Sequence, residues 1–253
     1  MEKEAEYRAL CSDVAAYYRT PRIYSSGKKS ISLGWCPDCR EINLWTYWQG
    51  RGHLNPRVLL VGQDWGAPSD DPAIMEKIRQ MNQGAHILYM DHHTASPTDT
   101  NLIELFSQIG YQIDTDDPHN HDLFFTNLIP GYRNHGFSGG YQAGWLTPEI
   151  QDFFHRLVGI LQPEVILCLG RTTFEGVMRS LDIVYDRYRS FNQQIASGAV
   201  HTQFCHLPLA IFPLAHCGAM GTLNRNRGSK EPSVSQDLLC LQKRDWDRIR
   251  RSL

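Results

Sequence analysis

The sequence predicts an α/β protein: a three-layer α/β/α sandwich with a mostly parallel four-stranded central sheet. Three observations support this prediction. Short apolar runs alternate along the chain with longer helical patterns, and the runs are apolar on both faces, as a sheet covered by helices on both sides requires. The 253 residues, of which 42% are hydrophobic, are enough for one sizeable core. The predicted strands span residues 57–61, 122–133, 164–170 and 209–216.

Six helical patterns flank these strands. Thr147 as N-cap and Pro148 at the first helical position give the clearest start signal. Thr100 and Glu104 resemble a capping box that is one residue longer than the ideal spacing. The helices are predicted from apolar periodicity and these signals. They span residues 2–19, 72–81, 100–110, 147–161, 171–181 and 234–250.

The remaining sequence contains turns and polar segments. The strand at 122–133 is predicted to end in the turn Pro130–Gly131. Residues 20–34 and 182–208 are polar and are predicted to add no strand or helix to the core. Because the predicted sheet needs most of the chain, residues 1–253 are interpreted as a single domain, with residues 1–50 as an N-terminal extension.

Charge and cysteine content set limits on partners and compartment. The net charge of −2 predicts no general attraction to nucleic acid, although residues 216–253 carry a local excess of Lys and Arg. The first ten residues lack the apolar core of a signal peptide. The longest apolar run, 207–215, is short and broken by prolines, so no membrane span is expected. Seven scattered cysteines argue against a disulfide framework and favour a reducing, cytoplasmic location.

The stretch VLLVGQDWGAPSDD, residues 58–71, places polar side chains where a buried strand ends. Ligands of open α/β sheets bind at the carboxyl ends of strands, so Gln63 and Asp64 are candidate working groups. Right-handed crossovers bring Asn127 and His216 to the same predicted edge. A carboxylate, an amide and a histidine suit recognition and cleavage of a polar heterocycle. Taken singly, Asn127 also fits a turn cap and His216 a hydrogen-bonded core histidine, and both interpretations stay open.

Several motifs within residues 58–228 together resemble the uracil-DNA glycosylase superfamily, in the family's order and spacing. GQD at 62–64 resembles the opening of the water-activating loop in the main branch, and the longer GQDWGAPSD also fits the layout of the iron–sulfur branch. The other motifs are similar to the helix after that loop, the base-reading strand, the third strand with its helix, and the histidine-led loop. They are SPTDTNLIELFSQIG (96–110), FFTNLIPGYR (124–133), PEVILCLGRTTFEGV (163–177) and HCGAMGTLNRNRG (216–228).

This resemblance implies a DNA-repair hydrolase, a base-excision glycosylase that flips uracil or a related deaminated or modified base out of DNA and hydrolyses its N-glycosidic bond. Asp64 would stabilise the oxocarbenium-like sugar and orient or deprotonate water. His216 would donate a hydrogen bond to the departing base. Asn127 and Gln63 would contact the base, and Asn127 would read its edge.

Other positions of the site depart from the family pattern. Base stacking is assigned by position to Tyr89, with Trp65 as the competing choice. The main branch has a tyrosine that blocks a 5-methyl group where this chain has Gly66, so 5-substituted uracils and deaminated purines stay open as substrates. In the last loop, Cys217–Gly218 replace a proline–serine pair, and a solvated basic loop is the alternative to a DNA contact. The candidate DNA-binding residues there are Met220 or Leu223 as an apolar wedge, and Arg225, Arg227 and Lys230 for phosphates.

Cys36 and Cys39 resemble the first half of the cysteine quartet of the iron–sulfur branch. The third ligand would fall at residues 128–130, which are Leu, Ile and Pro, and the helix that would hold the fourth has no cysteine. No cofactor is therefore predicted. Zinc bound by Cys36, Cys39 and either His53 or Cys11 is the alternative, although one CxxC without a second pair is a weak signal.

Two rival functions remain open. Asp91, His92 and His93 match the triplet of DHH phosphoesterases, which are metal-dependent, but no DxD motif follows the first strand. The second rival keeps the fold and lacks catalysis: a DNA- or nucleotide-binding relative, to which the altered histidine loop and near-neutral charge also fit.

Overall fold

The computed structural model describes residues 2–26, 29–49, 54–67, 70–83, 96–114, 118–135, 143–227, 229 and 231–253. These residues form a mixed α/β fold around one sheet, with helices on both sides. No helix in this described part of the chain combines the length and apolar character needed to cross a membrane.

The sheet has seven strands in the described residues, rather than the four predicted, in the order β1-β2-β4-β3-β5-β7-β6. The four predicted strands are its parallel centre, and the additional strands pair antiparallel at the two edges. The edge strands were missed because their sequences are polar and short. The strands are β1 (Arg22–Ser26), β2 (Lys29–Gly34), β3 (Val58–Trp65), β4 (Leu123–Arg133), β5 (Val165–Leu169), β6 (Val200–Phe204) and β7 (Leu207–Leu214).

The helices lie before, between and after these strands. The segment 182–199, predicted to be irregular, contains the helix α7, whose N-cap Ser190 forms a capping box with Gln193. The helices are α1 (Glu2–Tyr17), α2 (Leu44–Gln49), α3 (Pro72–Asn82), α4 (Pro97–Gln108), α5 (Pro148–Leu161), α6 (Arg171–Ser180), α7 (Phe191–Ser197), α8 (Ala219–Asn226), α9 (Pro232–Gln236) and α10 (Cys240–Arg250).

Two hydrophobic clusters cover the two faces of the sheet. Leu59 and Val61 of β3 point into one cluster, together with side chains of α1, α5 and α6. Val58 and Leu60 point into the other, with side chains of α4 and α10. Alternate residues of a strand face opposite sides, so burial of both sets explains the unbroken apolar run in the sequence.

The first 50 residues contribute to the same core. Tyr7, Leu10 and Val14 of α1 are buried in the cluster that α5 and α6 cover. The strands β1 and β2 extend the sheet, and Leu33 and Gly34 pair with the end of β4. The predicted N-terminal extension therefore supplies two helices, α1 and α2, and two strands of the main structure.

The helix start signals were read correctly at α5 and wrongly at α4. The Thr147 side chain caps α5, which begins at Pro148 and ends at Leu161 as predicted. The capping box of α4 uses Ser96 and Asp99 instead of Thr100 and Glu104, so the helix begins three residues earlier. The Ser96 pair has the ideal three-residue spacing and is followed by a proline, and both features favour that start.

The strand β4 does not end at the predicted Pro130–Gly131 turn. Asp64 of β3 pairs with Ile129, whereas the next residue, Trp65, pairs with Tyr132. Pro130 and Gly131 therefore form an irregularity within the strand, where the missing proline N–H is tolerated. A side chain at Gly131 would lie 2.6 Å from the Tyr18 ring, which explains the glycine. As a result, β4 continues to Arg133.

The closing helix is also divided. The single predicted helix at 234–250 consists of α9 and α10, separated at residues 237–239. The Asp237 carboxylate accepts the backbone N–H of Leu239 at 2.8 Å and pairs with Lys243 at 2.7 Å. A side chain that binds its own local backbone competes with a continuous helix, so the break follows from Asp237.

Candidate functional site

The parallel centre of the sheet brings the predicted site residues to one edge. The strands β4, β3, β5 and β7 run in the same direction, so their carboxyl ends lie side by side. Gln63 and Asp64 lie near the end of β3. Asn127 of β4 pairs with Gly62 of β3. His216 follows β7 by two residues. The shared edge predicted from the sequence is therefore present.

Asp64 is held in a buried ion pair. Its Oδ2 accepts from the Nε of Arg133, and the two side chains are only 7% and 3% exposed. Its Oδ1 accepts from the Gln63 amide at 2.9 Å, and Thr172 donates to the Gln63 oxygen at 3.2 Å. The Arg133 guanidinium also lies 5.3 Å from the centre of the Trp145 ring, close enough for a cation–π contact. Asp64 is thus fixed as an oriented anion.

Arg133 is the main residue of the site that the sequence interpretation missed. It is the last residue of the motif FFTNLIPGYR and of the predicted strand 122–133, just after the predicted Pro130–Gly131 turn, and no role was assigned to it. No periodicity or spacing in the sequence links Arg133 to Asp64, because the two residues are 69 positions apart. One signal in the sequence could have indicated a partner: a cationic residue stands at the end of an apolar strand. Buried arginines almost always have an acidic partner.

The side chain of Asn127 lies against β3. A Cβ atom at Gly62 would clash with the Asn127 Oδ1, so glycine is required for the two strands to keep this arrangement. The close approach places the amide against Gly62, the residue before Gln63 and Asp64 in β3. The turn-cap interpretation of Asn127 is wrong, because this residue lies within β4.

The ring of His216 has a defined hydrogen-bond arrangement. The backbone N–H of Gly218 donates to its Nδ1 at 2.9 Å. Neighbouring protein atoms partly desolvate the ring and lower the pKa of His216 from its ordinary value, although the residue is exposed to solvent. A neutral ring whose Nδ1 accepts must carry its proton on Nε2. His216 is therefore a hydrogen-bond donor through Nε2.

Side chains of α4, α8 and α10 hold the loop that carries His216. Asn101 donates to the Cys217 carbonyl at 2.6 Å. The buried Gln242 donates to the carbonyls of residues 215 and 216 at 3.3 Å, and its own oxygen accepts from Thr222 at 2.8 Å. These bonds fix the backbone on both sides of the histidine, so the orientation of the ring depends on side chains from three different helices.

We expect His216 to be neutral at pH 7, with its proton on Nε2. Imidazole ¹⁵N chemical shifts, assigned by comparison with His216→Gln, measure the tautomer, and a pH titration measures the pKa. The midpoint should lie below that of a histidine in a short peptide, about 6.5. The folded state resists protonation, so His216 should reduce stability as the pH falls from that value through the folded pKa. A proton on Nδ1 at pH 7 would contradict the arrangement.

Gly221 is expected to be indispensable for the same loop. A Cβ atom there would clash with the backbone carbonyl of His216, so Gly221→Ala must displace α8 from the loop. We expect a lower thermal midpoint and a changed His216 ¹⁵N spectrum. Gly159→Ala is the matched control: it lies in α5 with open space around the added methyl, and alanine in a helix is favoured over glycine by about 1 kcal/mol. Equal effects of both substitutions would refute the steric explanation.

The helix α8 presents two apolar side chains next to His216. Met220 is 68% and Leu223 is 54% exposed, and the two residues are three apart on the helix. Arg227 is exposed at the end of α8. Arg225 does not fit the predicted phosphate contact, because its guanidinium forms a bidentate pair with the buried Asp245 at 2.7 and 3.0 Å. Lys230 lies outside the described residues.

The predicted aromatic contacts are less well supported. Trp65 is only 8% exposed, and its ring packs on Tyr132 with centroids 4.6 Å apart. In this position it has no open face for a base, so the stacking role predicted for Trp65 is wrong for this conformation. Tyr89 and the triplet 91–93 lie outside the described residues. Gly66 is half-buried directly after Trp65.

Cys36 and Cys39 are buried in a third cluster with Trp65, Met81 and Tyr132. The Cys39 thiol donates a hydrogen bond that lowers the pKa of Cys36 to about 6, and the same bond raises the pKa of Cys39. Among the described residues, no group of three or more His, Cys, Asp or Glu side chains is arranged to hold a metal ion. Of the candidate third ligands, Cys11 lies in a different cluster and His53 lies outside the described residues.

No protein-family model and no curated protein matches the chain. The fold and the site define a mixed α/β protein with a fixed carboxylate, an amide and a neutral histidine at the carboxyl edge of its parallel strands. Proteins of this fold class have many different activities, so these side chains, and not the fold, indicate the function.

Proposed function

We propose that this chain is a DNA base-excision glycosylase acting on uracil or a related deaminated or modified base. The observation that carries the proposal is that an anionic group and a hydrogen-bond donor both lie at or just after the ends of parallel strands, at the same edge of the sheet. Asp64 is a fixed anion, and His216 is a neutral donor through Nε2. Hydrolysis of an N-glycosidic bond needs both, because positive charge develops on the sugar and negative charge on the departing base.

In the proposed reaction, the bond between the sugar C1′ and the base nitrogen breaks, and its electron pair leaves with the base. The His216 Nε2–H would donate to a carbonyl oxygen of the base as that oxygen becomes anionic, a contact that strengthens in a site shielded from water. Asp64 would stabilise the cationic sugar and orient the water that attacks C1′. The ion pair with Arg133 and the hydrogen bond from Gln63 hold the Asp64 carboxylate in one orientation for this role.

Asn127 is the proposed base-reading residue. Its amide can satisfy an adjacent acceptor and donor on uracil, and a base with another pattern would leave buried polar groups unpaired. Trp65 is turned into the third cluster and the next residue is Gly66, so neither supplies a ring at the 5-position of the base. This arrangement supports acceptance of 5-substituted uracils alongside uracil.

The DNA contact is proposed for α8. Met220 and Leu223 are exposed apolar side chains directly after the histidine, where a wedge inserted between bases would compensate for extrusion of a nucleotide. Base extrusion costs a few kcal/mol, so an apolar wedge of this kind has a clear energetic purpose. Arg227 adds an exposed positive charge at the end of the same helix.

The proposal is tested with single- and double-stranded oligonucleotides that carry uracil, hypoxanthine or 5-hydroxymethyluracil. After incubation with the protein, alkali converts each abasic site into a strand break. We expect breaks at uracil and at 5-hydroxymethyluracil in at least one strand form, and none in undamaged DNA. Absence of breaks on all three bases, with folded protein, would falsify the enzyme proposal.

The second candidate is a relative that binds DNA or nucleotides without cleavage. It is favoured by one observation: both oxygens of Asp64 already accept hydrogen bonds, from Arg133 and from Gln63. A mobility shift with the same oligonucleotides, without alkali-sensitive breaks, would support this candidate. A chelator-sensitive cleavage of the phosphodiester itself would instead support the metal-dependent phosphoesterase.

A further inference from the structure

Cys36 and Cys39 lie together in a tight turn. The backbone N–H of Cys39 donates to the Cys36 carbonyl at 3.1 Å, and turns of this kind bring their first and last Cα atoms within about 7 Å. Both cysteine side chains are buried in the same small cluster with Trp65, Met81 and Tyr132, next to that turn. Protein disulfides join Cα atoms about 4.4–6.8 Å apart. The turn and the shared cluster therefore give the two cysteines the short separation that a disulfide requires.

The turn is held in place by its neighbours. Asp38 pairs with Arg79 of α3 at 3.1 Å, and the Asn82 amide donates to the Asp38 carbonyl. The Trp35 indole N–H donates to the carbonyl of Cys39 at 2.9 Å. Pro37, within the turn, is exposed. The two buried cysteines thus lie on either side of a turn in which Pro37 is exposed.

The other cysteines lack this arrangement in the described residues. Cys205 is exposed, whereas Cys168 and Cys217 are buried on the sheet and in the His216 loop. Cytosolic disulfides, where they form, are usually transient and redox-linked, so a reducing compartment is compatible with such a pair.

We propose that Cys36 and Cys39 form a redox couple that converts reversibly between dithiol and disulfide by exchange with small disulfides of the glutathione class. Cys36 first gives its proton to water. Its thiolate then attacks one sulfur of the small disulfide, whose S–S bond breaks, and the departing thiolate takes a proton from water. Cys39 then loses its proton to water and attacks the Cys36 sulfur, which releases the second small thiol. Two electrons and two protons pass from the cysteines to the oxidant.

Oxidation of the two cysteines should change the packing next to the Asp64–Arg133 ion pair. Both cysteines pack with Trp65 and Tyr132 in the third cluster. Trp65 directly follows Asp64, and Tyr132 directly precedes Arg133. Closing the sulfurs to about 2.05 Å changes the packing behind that ion pair. This redox couple goes beyond the proposed function and does not depend on it.

The test uses the full chain carrying Cys205→Ser, which removes the exposed thiol. The protein is equilibrated with mixtures of glutathione and glutathione disulfide over a wide range of ratios, quenched with acid, alkylated and examined by peptide mass spectrometry. We expect loss of two hydrogens from a linked Cys36–Cys39 peptide, in a fraction that rises with the disulfide ratio and returns to zero with dithiothreitol. Tryptophan fluorescence should change in parallel, and Trp65→Phe should reduce that change.

Cys39→Ser should instead trap glutathione on Cys36, because the second attack is lost. The measurement on the paired cysteines decides the matter even if this variant fails to fold. A dithiol that persists at every ratio overturns the proposal, as does accumulation of a glutathione adduct on Cys36 when Cys39 is present. A disulfide to any other cysteine, or a stoichiometric metal ion held by the two thiols in purified protein, also overturns it.

Discussion

Arg133→Gln is expected to lower the free energy of unfolding by about 3–5 kcal/mol, because it leaves the Asp64 carboxylate buried without its cationic partner. The two side chains are almost completely shielded from water, so solvent can compensate little for the lost charge. Denaturation by urea, followed by circular dichroism, measures the change, and the slope of the transition should stay constant.

A matched surface pair and a double mutant provide the controls. Arg156→Gln breaks the exposed pair with Asp13, whose side chains are 36% and 52% exposed, and should cost at most about 1 kcal/mol. Asp64→Asn combined with Arg133→Gln removes both charges and should recover most of the stability lost by Arg133→Gln alone. A loss from Arg133→Gln no larger than that from Arg156→Gln would contradict a buried, energetically coupled pair.

Asp64→Asn is expected to reduce uracil excision by about 10²–10⁴-fold, the usual range for losing a group that assists water in the transition state. Asparagine keeps the size and one oxygen acceptor of the side chain but lacks the charge that would stabilise the cationic sugar. Single-turnover rates with excess protein measure the chemical step separately from product release.

Two further proteins separate chemistry from folding. Asp152→Asn makes the same chemical change on the outer face of α5, where the side chain is 60% exposed, and should leave the rate unchanged. The double variant Asp64→Asn/Arg133→Gln should regain stability yet remain inactive. Recovery of excision in the double variant would show that the loss in Asp64→Asn came from the unpaired arginine rather than from the missing carboxylate.

The candidate site was only partly accessible to sequence reasoning. Asp64 and His216 could be identified because each comes at or just after the end of an apolar strand, and parallel strands end at a common edge. The bonds that define their chemistry could not. The Gly218 N–H that sets the histidine tautomer and the Gln242 amide that holds its loop depend on how α8 and α10 pack, which no local pattern encodes.

Local signals worked where a short stretch of chain contains the whole physical cause. Apolar runs specified the four central strands because both of their faces are buried, and Thr147 with Pro148 specified the start of α5 because a cap acts within one turn. The strand β6 was missed because an edge strand has few buried side chains, so its sequence resembles a loop.

The sequence alone therefore determined the α/β class, the central strands and the parallel order that places Asp64, Asn127 and His216 on strands β3 and β4 and just after β7. Only the tertiary structure decided that β4 continues through Pro130 to Arg133, and hence that Asp64 is half of a buried ion pair. The physical reason is that a parallel neighbour and the Tyr18 ring stabilise the irregular strand, and both contacts come from segments distant in the chain.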